Sequence, residues 1–115
     1  MKSLTISVRT HVSLERLANI VYSMAQGSSY WCKYAGDLGY EKTVEELYAG
    51  QIIKLEDFED EKARYTLTLP KLKRGLTVMA KKFPRHFADF LTENDDADTA
   101  DVLLQCALFG EVVYG

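Results

Sequence analysis

Toward the C-terminus, Ala100, Leu103, Leu104, Ala107 and Leu108 recur at helical spacing. An apolar stripe that wide must be covered around most of the helix. The segment 100–115 therefore belongs to a core and is not a loose tail. One polar edge interrupts the stripe: Asp98, Asp101 and Gln105 share a face by three- and four-residue steps. Solvation is the favoured account of that edge, and contact with another side chain or a partner is the sharper one. The 115-residue chain can supply the cover as one domain, 1–115, burying roughly two-thirds of its unfolded surface. Apolar residues make up 47% and charged residues 27%, a balance that argues against disorder.

The elements that pack on this helix follow from local pattern. Leu4, Ile6 and Val8 alternate with Thr5, Ser7 and Arg9, the period of a half-buried strand. Ser13 is placed to cap a helix whose inward stripe is Leu14, Leu17, Ala18, Val21, Met24 and Ala25, with Gly27 as its stop. Thr43 can cap a short helix through Tyr48, ended by Gly50. Residues 51–58 and 63–69 read as two strands joined at Glu59-Asp60-Glu61. Pro70 opens a helix carrying Leu72, Leu76, Met79, Ala80 and Phe83, and Pro84 opens another with Phe87, Phe90 and Leu91 facing inward. The last helix starts at Asp95 or Asp96 and stops at Gly110, before a short closing strand over 111–114. This order predicts an α+β fold: a small antiparallel sheet with three to four helices packed on one face.

Several classes of protein fall away. The longest apolar run is far short of the ~20 residues that cross a bilayer, and the N-terminus lacks the apolar stretch of a signal peptide. A net charge of −3 gives no global attraction to nucleic acid or anionic membrane. Cys32 and Cys106 show no metal or redox spacing, so reduced, partly buried thiols and a cytoplasmic location are expected. No G-x-S-x-G or phosphate-binding glycine pattern occurs. No cofactor and no catalytic residue is assigned.

The acidic run Glu93, Asp95, Asp96, Asp98 and Asp101 is the first candidate for chemistry, because clustered carboxylates hold hard cations. Against a calcium loop, Thr99 stands where glycine is required and Gln105 where a bidentate glutamate is required. A helix start rich in favourable dipole contacts accounts for the run better, and no metal site is assigned. His86 and Asp89 offer two ligands and no third. A small enzyme or metal-dependent factor using the C-terminal helix carboxylates with His86 remains the alternative to a binding protein.

Charge is segregated. Lys71, Lys73, Arg74, Lys81, Lys82 and Arg85 lie in one segment with acidic blocks before and after it. Such a basic face would contact phosphates if the chain bound nucleic acid; a solvated face neutralised by its neighbours is the favoured reading. Tyr22, Tyr30, Trp31, Tyr34, Tyr40 and Tyr48 concentrate the only Trp and most of the tyrosines. Tyr and Trp dominate binding hot spots, and equally build small cores. Tyr30, Trp31, Tyr34, Asp98, Asp101 and Gln105 are the candidate partner-binding set.

Two segments, Gly27-Ser28-Ser29-Tyr30-Trp31 and Asp98-Thr99-Ala100-Asp101…Gln105…Phe109-Gly110-Glu111…Tyr114-Gly115, resemble a family of small proteins encoded by bacteriophages and prophages. The resemblance brings no defined activity and transfers no catalytic residue. It implies an accessory phage protein that acts in the host cytoplasm. Taken with the small size, the aromatic concentration and the segregated charge, it makes binding of a host or phage protein the expected action, with inhibition of a host defence system as one outcome.

Overall fold

Ser13 caps the first helix as its position predicts: its hydroxyl accepts from the Arg16 backbone N–H at 3.1 Å. Helix α1 spans Leu14–Gly27 and turns Leu17, Ala18, Ile20, Val21 and Met24 into the core. The computed structural model describes residues 2–34, 45, 46, 49, 53–60 and 62–115. The helix expected over 43–48 falls largely outside them; Glu45 and Glu46 are helical.

Three strands follow. β1 is Cys32–Tyr34, β2 is Ile53–Asp57 and β3 is Arg64–Leu67. They pair antiparallel in the order β1-β2-β3, with Tyr34 opposite Leu55 and Leu55 opposite Tyr65. On β2, Ile53, Leu55 and Asp57 are buried while Lys54 is exposed, so one face of the sheet meets the core. Asp57 also shapes the β2–β3 connection, its Oδ1 accepting from the N–H groups of Glu59 (2.8 Å) and Asp60 (3.3 Å).

Helix α2 spans Leu69–Lys82, capped by the Thr68 hydroxyl with Pro70 in its first turn. Helix α3 spans Pro84–Leu91, and α4 spans Ala97–Phe109. Asp96 caps α4, accepting from the Thr99 N–H at 2.9 Å. Gly110 ends it with φ 73°, a left-handed conformation suited to glycine. Among the described residues the fold is therefore α+β, four helices with a three-stranded antiparallel sheet. Ala100, Leu103, Leu104, Cys106 and Ala107 are fully buried, which places α4 at the centre. Gly75 in α2 lets α4 approach: a Cβ there would lie 2.8 Å from the Ala107 backbone and side chain. No helix is long and apolar enough to cross a membrane among the described residues.

Two expected strands are absent. Residues 2–12 contain neither helix nor strand, and Leu4, Ile6 and Val8 remain 88%, 73% and 78% exposed. Their alternation marks one face for burial but supplies no sheet edge to bury it on. The closing strand over 111–114 is also missing; that segment is held by a side chain, as described next.

Candidate functional site

Past the end of α1, Ser28 starts a tight turn whose carbonyl accepts from the N–H groups of Trp31 (3.1 Å) and Cys32 (3.0 Å). The turn sends Trp31 into the core, 1% exposed, and leaves Tyr30 half in solvent. Both side chains, with Ser28, converge on one carboxylate from α4. Asp101 Oδ1 accepts from Ser28 Oγ (2.7 Å) and Trp31 Nε1 (2.8 Å). Its Oδ2 accepts from Tyr30 OH (2.6 Å) and Gln105 Nε2 (3.1 Å). A buried carboxylate is tolerated when donors take the place of water, and here four do.

Gln105, one turn further along α4 and also buried, binds the segment that follows the helix. Its Oε1 accepts from the N–H groups of Val113 (2.7 Å) and Tyr114 (2.8 Å), and its Nε2 donates to the Tyr114 carbonyl at 3.2 Å. A side-chain amide carries the same donor and acceptor as a peptide group. Gln105 thus does for residues 113–114 what a neighbouring strand would do. The clasp lays the Tyr114 ring on Trp31, centroids 4.7 Å apart and planes 11° from parallel. Phe109 and Tyr65 close the sides of this aromatic cluster.

A second carboxylate anchors the far end. Asp57 Oδ2 accepts from the hydroxyls of Tyr114 (2.7 Å) and Tyr65 (2.9 Å). Burial pushes this carboxyl up, but the two hydroxyls and the N–H groups of Glu59 and Asp60 outweigh it and hold it below the usual range. The phenols move the other way. Burial, and then the hydrogen bond and charge of Asp101, push Tyr30 up to about 12. Tyr114 is raised chiefly by its hydrogen bond to Asp57, then by burial. Burial, followed by the Asp101 and Asp57 charges, pushes the Cys32 thiol up to about 12, and burial pushes Cys106 up to about 11. Both cysteines are free and buried, and at neutral pH both are thiols, not the thiolates that attack or ligate.

The network opens to solvent at a shallow depression of about 560 Å³ whose rim includes Tyr30, His86, Asp98, Val112 and Val113. Asp98 is exposed there, while Asp101 lies at its base. His86 Nδ1 is engaged with Thr99 Oγ1 at 2.9 Å. The depression thus mixes exposed apolar side chains with an acid, and its base is fixed by filled hydrogen bonds.

Of the candidate partner-binding set, Tyr30, Trp31, Asp101 and Gln105 join one network, and Tyr30, Asp98 and Asp101 line the depression. Tyr34 is elsewhere, its hydroxyl donating to the Val21 carbonyl beneath α1. The acidic run divides among separate tasks: Asp95 pairs with Arg16, Asp96 caps α4 and Asp101 anchors the turn. Among the described residues no three His, Cys, Asp or Glu side chains are grouped to hold a metal.

The basic segment is divided too. Lys71 donates to the Thr66 carbonyl (2.6 Å), Arg74 to the Ala107 carbonyl (2.7 Å) and Lys82 to the Gly110 carbonyl (3.2 Å). Arg74 and Lys82 thereby supply positive charge at the carbonyl end of α4, where the helix dipole favours it. Lys73, Lys81 and Arg85 are left as the exposed remainder of that face.

Sequence reasoning did not single out Asp57, Ser28, Tyr65 or Tyr114. Ser28 and Tyr114 lie inside the motifs that carry the family resemblance, which is the signal that points to them. Asp57 had only its position before a turn. Comparison of the chain with models of protein families, with curated proteins and with solved structures finds no match. Its class is defined by fold and geometry: a small α+β domain whose polar core groups serve architecture and whose rim is open.

Proposed function

We propose that this chain is an accessory protein of a bacteriophage or prophage that binds another protein in the host cytoplasm, with a host defence component as the partner to test first. The supporting observation is the rim of the Asp101 depression. Tyr30 and Val113 are each 54% exposed and Val112 39%, beside the exposed Asp98. The Tyr30 side chain is fixed from beneath by Asp101, and the backbone that carries Val113 is fixed by Gln105. Preset side chains lose little freedom on docking, which is how aromatic anchors gain affinity. A partner that fits presents apolar side chains around a basic one, to meet Asp98. The two motifs behind the phage resemblance are also one constellation in space, joined through Asp101 and Gln105.

The donors and acceptors around Asp101 and Asp57 are occupied by one another, and burial holds both thiols neutral, which weighs against a catalytic role. The test compares proteins retained from host lysate by the chain and by an Asp98→Lys/Val113→Glu variant, alongside phage growth after gene deletion. Selective retention by the unaltered chain and impaired growth are expected. Equal retention by both forms, with growth unchanged, overturns the reading.

A further inference from the structure

The exposed arm formed by residues 2–10 stands apart from every contact described so far. All nine residues are exposed, and Leu4, Ile6 and Val8 hold three large apolar side chains in water at strict two-residue spacing. That pattern suits a strand with one face covered. Among the described residues the domain offers little to cover it. Lys71 occupies the Thr66 carbonyl on β3, and residues 2–12 include no Gly, Pro, Asn or Asp to turn the arm back.

From this we infer that the arm pairs with the same arm of a second copy, forming a two-fold antiparallel ribbon centred on Ile6. The arm is self-complementary in that register alone. Centred on Ile6, Leu4 faces the second copy's Val8, Ile6 faces Ile6 and Thr5 faces Ser7, so apolar meets apolar throughout. Arg9 falls opposite Ser3 and Lys2 opposite Thr10, so no like charges oppose each other. A shift by two residues sets Leu4 against Thr10 or Val8 against Lys2, and a shift by one sets apolar against polar. The symmetry closes at two copies.

A two-stranded ribbon is marginal alone and needs an apolar surface to rest on. One lies at the arm's root. A mainly apolar depression of about 600 Å³ is bordered by Thr10 and Val12 together with Leu17 of α1 and Leu69 and Leu76 of α2, with the exposed Lys73 on its border. The register brings the second copy's Lys2 opposite Thr10, so its Leu4 arrives about two residues, roughly 7 Å, from the depression's mouth. Each copy presents the same depression to the other's arm. This pairing does not rest on the docking reading above, because it uses none of the Asp101 rim.

Sedimentation velocity of the full chain over rising concentration tests the inference. A monomer–dimer equilibrium is expected, and Ile6→Asp, which sets two carboxylates against each other at the symmetry axis, should weaken it on the order of 100-fold. Every residue of the arm is exposed, so in dilute solution, where the chain is monomeric, the variant's melting temperature should stay unchanged. Register is read by oxidation. Ile6→Cys places two thiols directly opposite, whereas Ser7→Cys places them two residues out of line. The first should crosslink about tenfold faster. A chain that remains monomeric up to about 1 mM, a dimer that survives Ile6→Asp, or equal crosslinking of both cysteine variants each overturns the proposal.

Discussion

The two ends of the described chain carry similar patterns and meet opposite fates. Leu4, Ile6 and Val8 alternate like a strand, and Val112, Val113 and Tyr114 are as strand-prone, yet neither segment joins the sheet. The C-terminal segment is bound all the same, by the Gln105 amide along its backbone and by Trp31 and Asp57 at the Tyr114 ring and hydroxyl. The N-terminal arm is exposed along its whole length and shows no such anchor among the described residues. A β-type pattern thus states that one face wants cover and leaves open what supplies it. Here the supplier is a side chain at one end and, on our inference, a second molecule at the other.

The contrast breaks most visibly if the C-terminal segment proves dispensable. Removing residues 111–115 uncovers Trp31 and strips partners from Gln105 and Asp57. Loss of an aromatic contact together with several buried hydrogen bonds should cost about 4 kcal/mol, or roughly 15 °C in melting temperature by calorimetry. A shift under a few degrees would show that the clasp only decorates the core.

Next in size is Gln105→Ala, which keeps the segment but removes its backbone partner. It also takes one donor from Asp101. About 3 kcal/mol is expected in urea unfolding, with the helical circular dichroism retained.

An alkaline limb of stability should come third. The phenols of Tyr30, Tyr65 and Tyr114 are raised in the folded chain, so their contribution is complete below their unfolded value of about 10. It is lost as pH climbs through the folded value, which for Tyr30 is about 12. The urea midpoint should therefore fall from pH 10 upward. Tyr114→Phe, which keeps the ring on Trp31 and lacks the titrating group, should flatten that fall. An identical slope in the variant would detach Tyr114 from the effect.

The smallest effect sharpens the comparison from the other side. Deleting residues 2–9 should leave dilute-solution stability within about 0.5 kcal/mol, as for surface changes that touch nothing. A clear loss would mean that the arm contacts its own domain.

Much of the fold is legible in the sequence because helix signals are local. Ser13, Asp96 and Gly110 stand where the caps are, and the apolar stripes between them set which faces turn inward. Gly75 looks like a flaw in α2 when read locally; only the neighbouring Ala107 backbone explains it. The candidate site is half legible. Asp101 and Gln105 stand out in the sequence as a polar edge on an apolar helix, but the solvation expected there is overturned: both are buried and bonded to Tyr30, and Asp101 to Trp31 as well. Tyr34 departs because β1 carries it to the Val21 carbonyl beneath α1. Asp57 was hidden because its partners, Tyr65 and Tyr114, are eight and 57 residues away in sequence, and no local spacing encodes such a meeting.

The stacking of Tyr114 on Trp31 has a practical consequence. Trp31 is the only tryptophan in the chain, and its indole is buried with its N–H on a carboxylate. Its fluorescence is therefore a label already installed at the clasp. With residues 113–114 in place the indole emits from a dry, enclosed site; if they swing away, water reaches it and the emission moves to the red. Opening of the C-terminal segment, by a partner, by pH or by substitution, can be followed in the unmodified protein as a change of colour.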